Sequence, residues 1–349
     1  MIRADLRFGI LGWGYWGPKI ARNLESLPHV MVTMIADSDP HRLASLQVNQ
    51  YQSRIRQTAL AEDVFRSDVD GVVIATPVQT HYRLAKEALR HGKHVLVEKP
   101  LTTSVAEAEE LIALAEKQGC ILMVGHTFEY SPAVNELRKF VQSGDLGKIY
   151  CIEAERLNLG LFRSDVNVIW DLAPHDVSIL LYLLNKKPEQ IKIQAHAHLQ
   201  TGIHDSAHLD LDFANRMTAH IHVSWLHPCK IRRITVIGDM RMAVYDDTNP
   251  AEMLKIYNKG ADVYTDPVVS YRFGEITIPH IDWIEPLRLE CEDFVNSIRT
   301  GTQPRAHGNA GLEVVRVLAA AQEALEAQER QSAQVLVENT AQRTAERKR

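Results

Sequence analysis

Cysteine is scarce and scattered. The 349 residues hold four, Cys120, Cys151, Cys229 and Cys291, with no C-x-x-C pair. That excludes a disulfide framework and a zinc ribbon, and fits a reduced, cytoplasmic compartment. Long apolar runs are also missing. The longest, at 177–184, falls far short of the roughly 18 residues a membrane span needs. The opening MIRADLRFGILG has no long apolar stretch leading to small residues, so no signal peptide is expected. Neither charge sign dominates. Against 44 acidic residues stand 39 basic ones, net −5, which gives no general basis for binding nucleic acid. Repeats and low-complexity segments are absent. What remains is an apolar share of 45%, enough for large cores, in a length that suits two domains or slightly more.

The first 125 residues alternate between two patterns. Apolar runs at 6–12, 30–36, 71–77, 94–100 and 120–126 read as strands buried on both faces, hence parallel. Helical patterns lie between them. One spans 79–91 and stops at Gly92; another spans 104–118, opening on a Ser104/Glu107 capping box and closing at Gly119. Strands alternating with helices predict a doubly wound sheet. Near residue 145 the pattern changes. A strand is expected at 148–156, an apolar helix at 171–184, and five strands at 191–199, 207–213, 217–225, 231–238 and 240–246. This reads as an α+β domain with a large, mostly antiparallel open sheet. Two helices, about 286–300 and 308–329, precede a basic tail at 341–349 that is expected to fray. The expected division is therefore 1–125 and 126–349.

Gly12-Trp13-Gly14-Tyr15-Trp16-Gly17 fits G-x-G-x-x-G, follows the first strand and opens a helix. In a dinucleotide site the first glycine allows the turn, the second admits the pyrophosphate, and the third lets helix and strand pack closely. The helix N-terminus offers free N–H groups to the phosphates. Asp37 closes the second strand, twenty residues past Gly17. A carboxylate there accepts the adenosine ribose hydroxyls and repels a 2′-phosphate, which selects NAD over NADP. Arg42 lies too far along to alter that expectation.

Glu98-Lys99-Pro100 ends the fourth run. Ligands in open α/β sheets bind beyond the carboxyl ends of strands, so Lys99 is expected to face the cofactor and to polarise a substrate hydroxyl. The plain alternative is a solvated lysine paired with Glu98. Asp171 and His175 are spaced to share one helix face. Histidine titrates near neutrality and suits a base for a hydroxyl proton. The plain alternatives are a helix cap for Asp171 and a core histidine.

These motifs, with Ala75-Thr76-Pro77 and Asp171-x-x-x-His175, resemble the glucose–fructose oxidoreductase/inositol dehydrogenase family, Gfo/Idh/MocA, across nearly the whole chain. The resemblance implies a Rossmann domain followed by an α+β domain whose sheet often forms a subunit interface, hence a homo-oligomer. It implies NAD as cofactor, held by the glycine loop (Gly12–Gly17) with Asp37, Thr76, Pro77, His81, Glu98 and Lys99, and a Lys99–Pro100 bond that is often cis. It also implies catalysis by Lys99, Asp171 and His175, with no metal. Softer likenesses at 170–176, 232–236 and 285–287 point to the branch that oxidises C3 of UDP-linked N-acetylglucosamine or its glucuronate. Arg156, Asn158, Arg163 and Asn167 are then candidate substrate contacts, because an arginine fork suits a carboxylate or diphosphate. A free polyol or aldose is the alternative substrate, and a non-catalytic NAD-binding regulator the alternative in kind. At Phe128-Glu129-Tyr130 the chain departs from the family's usual aromatic-plus-basic pattern. Histidines at 196, 198, 204, 208, 220 and 222 read as a polar sheet face rather than a metal site.

Overall fold

The computed structural model describes residues 5–45, 55–160, 162–263 and 269–346. Its elements run β1 (Leu6–Leu11), α1 (Gly17–Glu25), β2 (Val30–Ala36), α2 (Pro40–Ser45), β3 (Arg56–Thr58), α3 (Ala61–Arg66), β4 (Gly71–Ile74), α4 (His81–Arg90), β5 (His94–Glu98), α5 (Val105–Gln118), β6 (Leu122–Gly125) and α6 (Pro132–Ser143). Then follow β7 (Ile149–Leu159), α7 (Val168–Leu184), β8 (Gln190–His196), β9 (Ser206–Phe213), β10 (Met217–Ser224), β11 (Leu226–Gly238), β12 (Met242–Asp246), β13 (Leu254–Val263), β14 (Val269–Thr277), α8 (Pro286–Thr300) and α9 (Gly308–Glu346). The chain clusters into two compact units. Unit 1 is Met1–Lys139, Val177–Leu184 and His280–Arg316; unit 2 is Phe140–Asp176, Asn185–Pro279 and Val317–Arg349. A single cut near residue 125 does not describe this division, because later helices return to the N-terminal strands.

Unit 1 is built on a six-stranded sheet of order β3-β2-β1-β4-β5-β6, parallel throughout. The order reverses between β1 and β4, and such a switch point opens a crevice at the strands' carboxyl ends. The apolar runs predicted five of these strands. The missed one, β3, is the three-residue edge strand Arg-Gln-Thr, too short and polar to show periodicity. Ser104 caps α5 by accepting the Glu107 N–H at 3.5 Å, and Gly119 ends it at φ 65°. Leu287, Cys291, Phe294, Val295 and Ile298 form the buried stripe of α8, which joins the core of Phe8, Ile10, Ile20 and Leu24. Phe294 meets Phe8 with ring centroids 5.7 Å apart.

Unit 2 is built on an eight-stranded sheet of order β14-β13-β12-β11-β7-β10-β9-β8. Its pairings are antiparallel except for β7 with β10. Period-two alternation buries Ala207, Leu209, Leu211 and Phe213 on one face of β9 while His208 and Asp210 stay exposed. Two strands, β13 and β14, extend the sheet beyond the five expected after residue 190. The helix expected from 171 begins earlier, at Val168, because Asn167 caps it: its Oδ1 accepts the N–H groups of Ile169 and Trp170 at 3.1 and 3.2 Å. Helix α9 continues to Glu346 rather than ending near 329, since residues 330–346 contain neither glycine nor proline. Of the tail expected to fray, 347–349 lie outside the described residues.

Candidate active site

In unit 1 the carboxyl ends of β1, β2 and β4 surround a cavity of about 340 Å³ lined by Gly12, Asp37, Arg42, Thr76, Pro77 and Arg83, among others. The glycine loop fits a dinucleotide. Gly12 turns at φ +94°, and a Cβ there would stand 2.5 Å from the Ala75 carbonyl oxygen. A Cβ on Gly17 would stand 2.2 Å from the Gly12 carbonyl oxygen, so helix α1 can pack this tightly only behind a glycine. A Cβ on Gly14 would instead meet only the flexible Arg42 guanidinium, at an ordinary 3.7 Å, so this side of the loop is not closed off by backbone. No side chain caps α1, so none competes for its first N–H groups.

Asp37 is buried. Its Oδ2 accepts the Trp13 N–H at 2.7 Å and its Oδ1 the Asp39 N–H at 2.8 Å. The loop and the acid are thus locked together, with a lone pair left on each oxygen for a ribose hydroxyl. Arg42 lies on the next helix, α2, as expected, yet reaches back to within 3.6 Å of both Asp37 and Asp39. Of the loop's aromatics, Trp13 is buried in the core and Tyr15 is exposed beneath the Lys19 ammonium, 3.3 Å from its ring centre. Thr76 bonds Thr80 at 2.7 Å. His81 is buried and faces the carbonyls of Pro100 at 2.8 Å and Thr76 at 2.9 Å, so it ties the loop after β4 to the loop after β5.

Lys99 follows β5 at the same sheet edge, and its bond to Pro100 is cis. Glu98 is not an exposed ion partner for it. The carboxyl is 8% exposed, and burial pushes it up to about 7 against the opposing charge of Lys99. His126, which follows β6, is buried and pushed down to about 3 by burial and by the Lys99 charge. Glu129 is buried and pushed up to about 8, with Arg305 and Arg138 opposing. Glu290 on α8 is wholly buried and raised well above the usual carboxylate range by burial and by Glu98. Sequence reasoning passed over this last residue, although it sits between Leu287 and Phe294 on the apolar stripe of α8, where a charge is out of place.

In unit 2, Asp171 and His175 lie one turn apart on α7, both partly buried. Asp171 is fixed from two sides: its Oδ2 accepts the Trp225 indole N–H at 3.0 Å, and its Oδ1 lies 3.4 Å from the Arg163 guanidinium. Arg163 also forks onto Asp165 at 2.8 and 2.6 Å. Trp225, buried at the end of β10, had no sequence signal. The helix cap is Asn167, whose amide also donates to Gln322 at 3.0 Å. Asn167 and Arg156 are therefore committed within the fold of unit 2. Arg156 grips Asp176 with paired bonds of 2.8 and 2.9 Å, both side chains being buried. Asn158 lies on β7, partly buried; Leu161, in the loop that follows, lies outside the described residues. On the sheet's polar face His208 and His222 stack at 3.9 Å and His220 meets Asp210 at 2.5 Å, while in the β8–β9 connection His198 meets Asp205 at 2.7 Å.

A parallel sheet of this order, with a glycine loop after β1 and an acid after β2, is the framework of a dinucleotide-binding oxidoreductase. The chain belongs to the Gfo/Idh/MocA family. Residues 6–126 match the profile described as an oxidoreductase family with an NAD-binding Rossmann fold, and residues 134–244 match the GFO/IDH/MocA C-terminal domain. It is 30% identical over 318 residues to the UDP-N-acetylglucosamine 3-dehydrogenase of Acidithiobacillus ferrooxidans, covering 90% of this chain and 95% of that protein. A crystal structure of that enzyme aligns with a TM-score of 0.77 at 29% identity, over 94% of this chain and 99% of that one. The inositol 2-dehydrogenase of Rhizobium meliloti is 24% identical over 331 residues, 90% of this chain and 96% of that protein. GenD2 from gentamicin A biosynthesis, solved in complex with NAD, shares the fold at a TM-score of 0.78 and 21% identity, over 93% of this chain and 95% of that one. Among the described residues no helix is long and apolar enough to cross a membrane.

Proposed function

We propose that the protein oxidises a secondary hydroxyl of a nucleotide-linked sugar, C3 of UDP-N-acetylglucosamine or of its glucuronate, with NAD as acceptor. The observation that carries this reading is Asp171, held by Trp225 and Arg163 one helical turn ahead of His175. A carboxylate so fixed has its geometry set before substrate arrives. The likeness to a UDP-N-acetylglucosamine 3-dehydrogenase supports the substrate class.

The glycine loop, Asp37, Thr76 and Pro77 would hold the cofactor, which supplies the hydride acceptor when bound. Lys99 donates a hydrogen bond to the reacting oxygen and stabilises its developing negative charge. His175 takes the hydroxyl proton, and Asp171 orients the sugar and the imidazole. Arg163 and Asn158 supply polar contacts to the substrate. A homo-oligomer through the eight-stranded sheet belongs to the same reading, and light scattering tests it. The likeness to an inositol 2-dehydrogenase favours a free polyol as the second reading. Nicotinamide absorbance separates the two: reduction with UDP-N-acetylglucosamine or its glucuronate and none with myo-inositol supports the first, and the reverse result replaces it.

A further inference from the structure

Several features of the molecule have no part in the reaction just described, and the most unusual is a buried polar cluster in unit 1. Glu98 Oε1, both carboxyl oxygens of Glu290 and both ring nitrogens of His126 are buried without a hydrogen-bond partner. Buried polar groups are nearly always paired, so an unpaired set calls for a role. The Thr127 hydroxyl lies near enough to Glu290 to oppose its rise, yet neither carboxyl oxygen gains a bond of proper geometry. Gly125 makes the room. It pairs with Glu98 across the sheet, and a Cβ there would stand 3.3 Å from Glu98 Oε2. The Lys99 N–H donates to that same oxygen at 3.3 Å.

We propose that Glu98 and Glu290, with His126 beside them, hold a proton that is released when the oxidised cofactor binds and retained when the reduced cofactor binds. The placement argues for it. The cofactor cavity lies at the carboxyl ends of β1, β2 and β4, and the next strands of the same parallel edge, β5 and β6, lead directly into Glu98 and His126. A dinucleotide laid along that edge brings its nicotinamide toward this end. The oxidised ring carries a positive charge and the reduced ring does not. In a poorly solvated interior such a charge strongly favours the ionised form of a neighbouring carboxyl. The Glu98 charge raises Glu290 further, so the two carboxyls do not both ionise and the pair gives up one proton.

The surrounding groups leave Glu98 as the member poised to respond. On α8, Glu290 and Cys291 are pushed far up by burial, and Asp293 accepts the Tyr130 hydroxyl and the Arg305 N–H at 2.7 and 2.8 Å. After β6, His126 stays neutral above about 3 and Tyr130 is pushed up. Glu129 titrates higher, at about 8, and answers to Arg305 and to Arg138 of α6. Of the groups just named, Glu98, at about 7, lies nearest neutrality, and Lys99 acts directly on it. The released proton passes to solvent and a carboxylate remains. This proposal needs the NAD-binding reading but not the choice of sugar.

The test uses the full chain without substrate. In weak buffer near pH 6, where Glu98 is still mostly protonated, with an indicator dye, saturating NAD⁺ releases up to about one proton per chain, while NADH and ADP-ribose, which lacks the nicotinamide, release none. The dissociation constant of NAD⁺ rises by up to about tenfold for each pH unit that pH drops below 7 and is level above 7, while that of NADH stays flat. Glu98→Gln, which cannot ionise, diminishes the release, whereas Glu290→Gln, close in shape to the acid that stays protonated, leaves it largely in place. Equal release with all three ligands, or none with NAD⁺, overturns the proposal from the unmodified protein alone. Release that persists unchanged in Glu98→Gln overturns the assignment to this cluster.

Discussion

Replacing Glu98 with glutamine should change how stability depends on pH. The carboxyl is 8% exposed and titrates at about 7 instead of 4.5. A raised acid binds its proton more tightly in the folded state, so its contribution is fully present below 4.5 and is lost as pH rises through 7. The move from 4.5 to about 7 is worth about 3 kcal/mol. The amide cannot titrate. The stability of Glu98→Gln relative to the parent should therefore rise by about 3 kcal/mol between pH 4.5 and pH 8. Any constant cost of burying the amide cancels in that difference. Urea unfolding of the cofactor-free chain, followed by the fluorescence of buried Trp13, measures it at each pH. A relative stability that stays level across this window would show that Glu98 is solvated or ionised throughout, and the argument from burial would fail.

Other substitutions probe other parts of the account. Gly17→Ala places a methyl 2.2 Å from the Gly12 carbonyl oxygen, so NAD titration should show binding weakened at least tenfold, alongside a lower melting temperature. Asp176→Asn leaves the buried Arg156 guanidinium without its counter-charge and should cost about 3–5 kcal/mol in chemical denaturation. Asp37→Ala removes the acceptor for the Trp13 N–H and leaves Arg42 facing the cavity, so the ratio of NADP to NAD binding should rise. Asp171→Asn should lower the single-turnover rate by about 10²-fold or more with little change in NAD affinity, and an unchanged rate would remove Asp171 from the reaction.

Much of unit 1 was legible because its signals are local. Five apolar runs, a glycine loop with an acid twenty residues on, and Ser104 and Gly119 at the ends of α5 each depend on a few neighbouring residues. Strand β3 was not legible, since three polar residues at an edge carry no period. The reach of Arg42 back to Asp37 and the grip of Arg156 on Asp176 depend on how separate elements pack, which spacing alone does not disclose. Asn158–Asn167 looked like a loop of substrate contacts, yet its last residue caps α7, a role visible only once the helix start was known. Glu290 marks the opposite case. Its position on an apolar stripe was readable, and only its closeness to Glu98 needed the structure.

The central claim is hydride transfer from a sugar hydroxyl to NAD with Lys99 as the polarising donor. Single-turnover nicotinamide absorbance tests it most directly, with purified protein, NAD and UDP-N-acetylglucosamine, its glucuronate, myo-inositol and glucose in parallel. Reduction with a UDP-sugar, lost in Lys99→Ala, is the expected result. Reduction that survives in Lys99→Ala, or tight NAD binding with no reduction by any of the four, would contradict it.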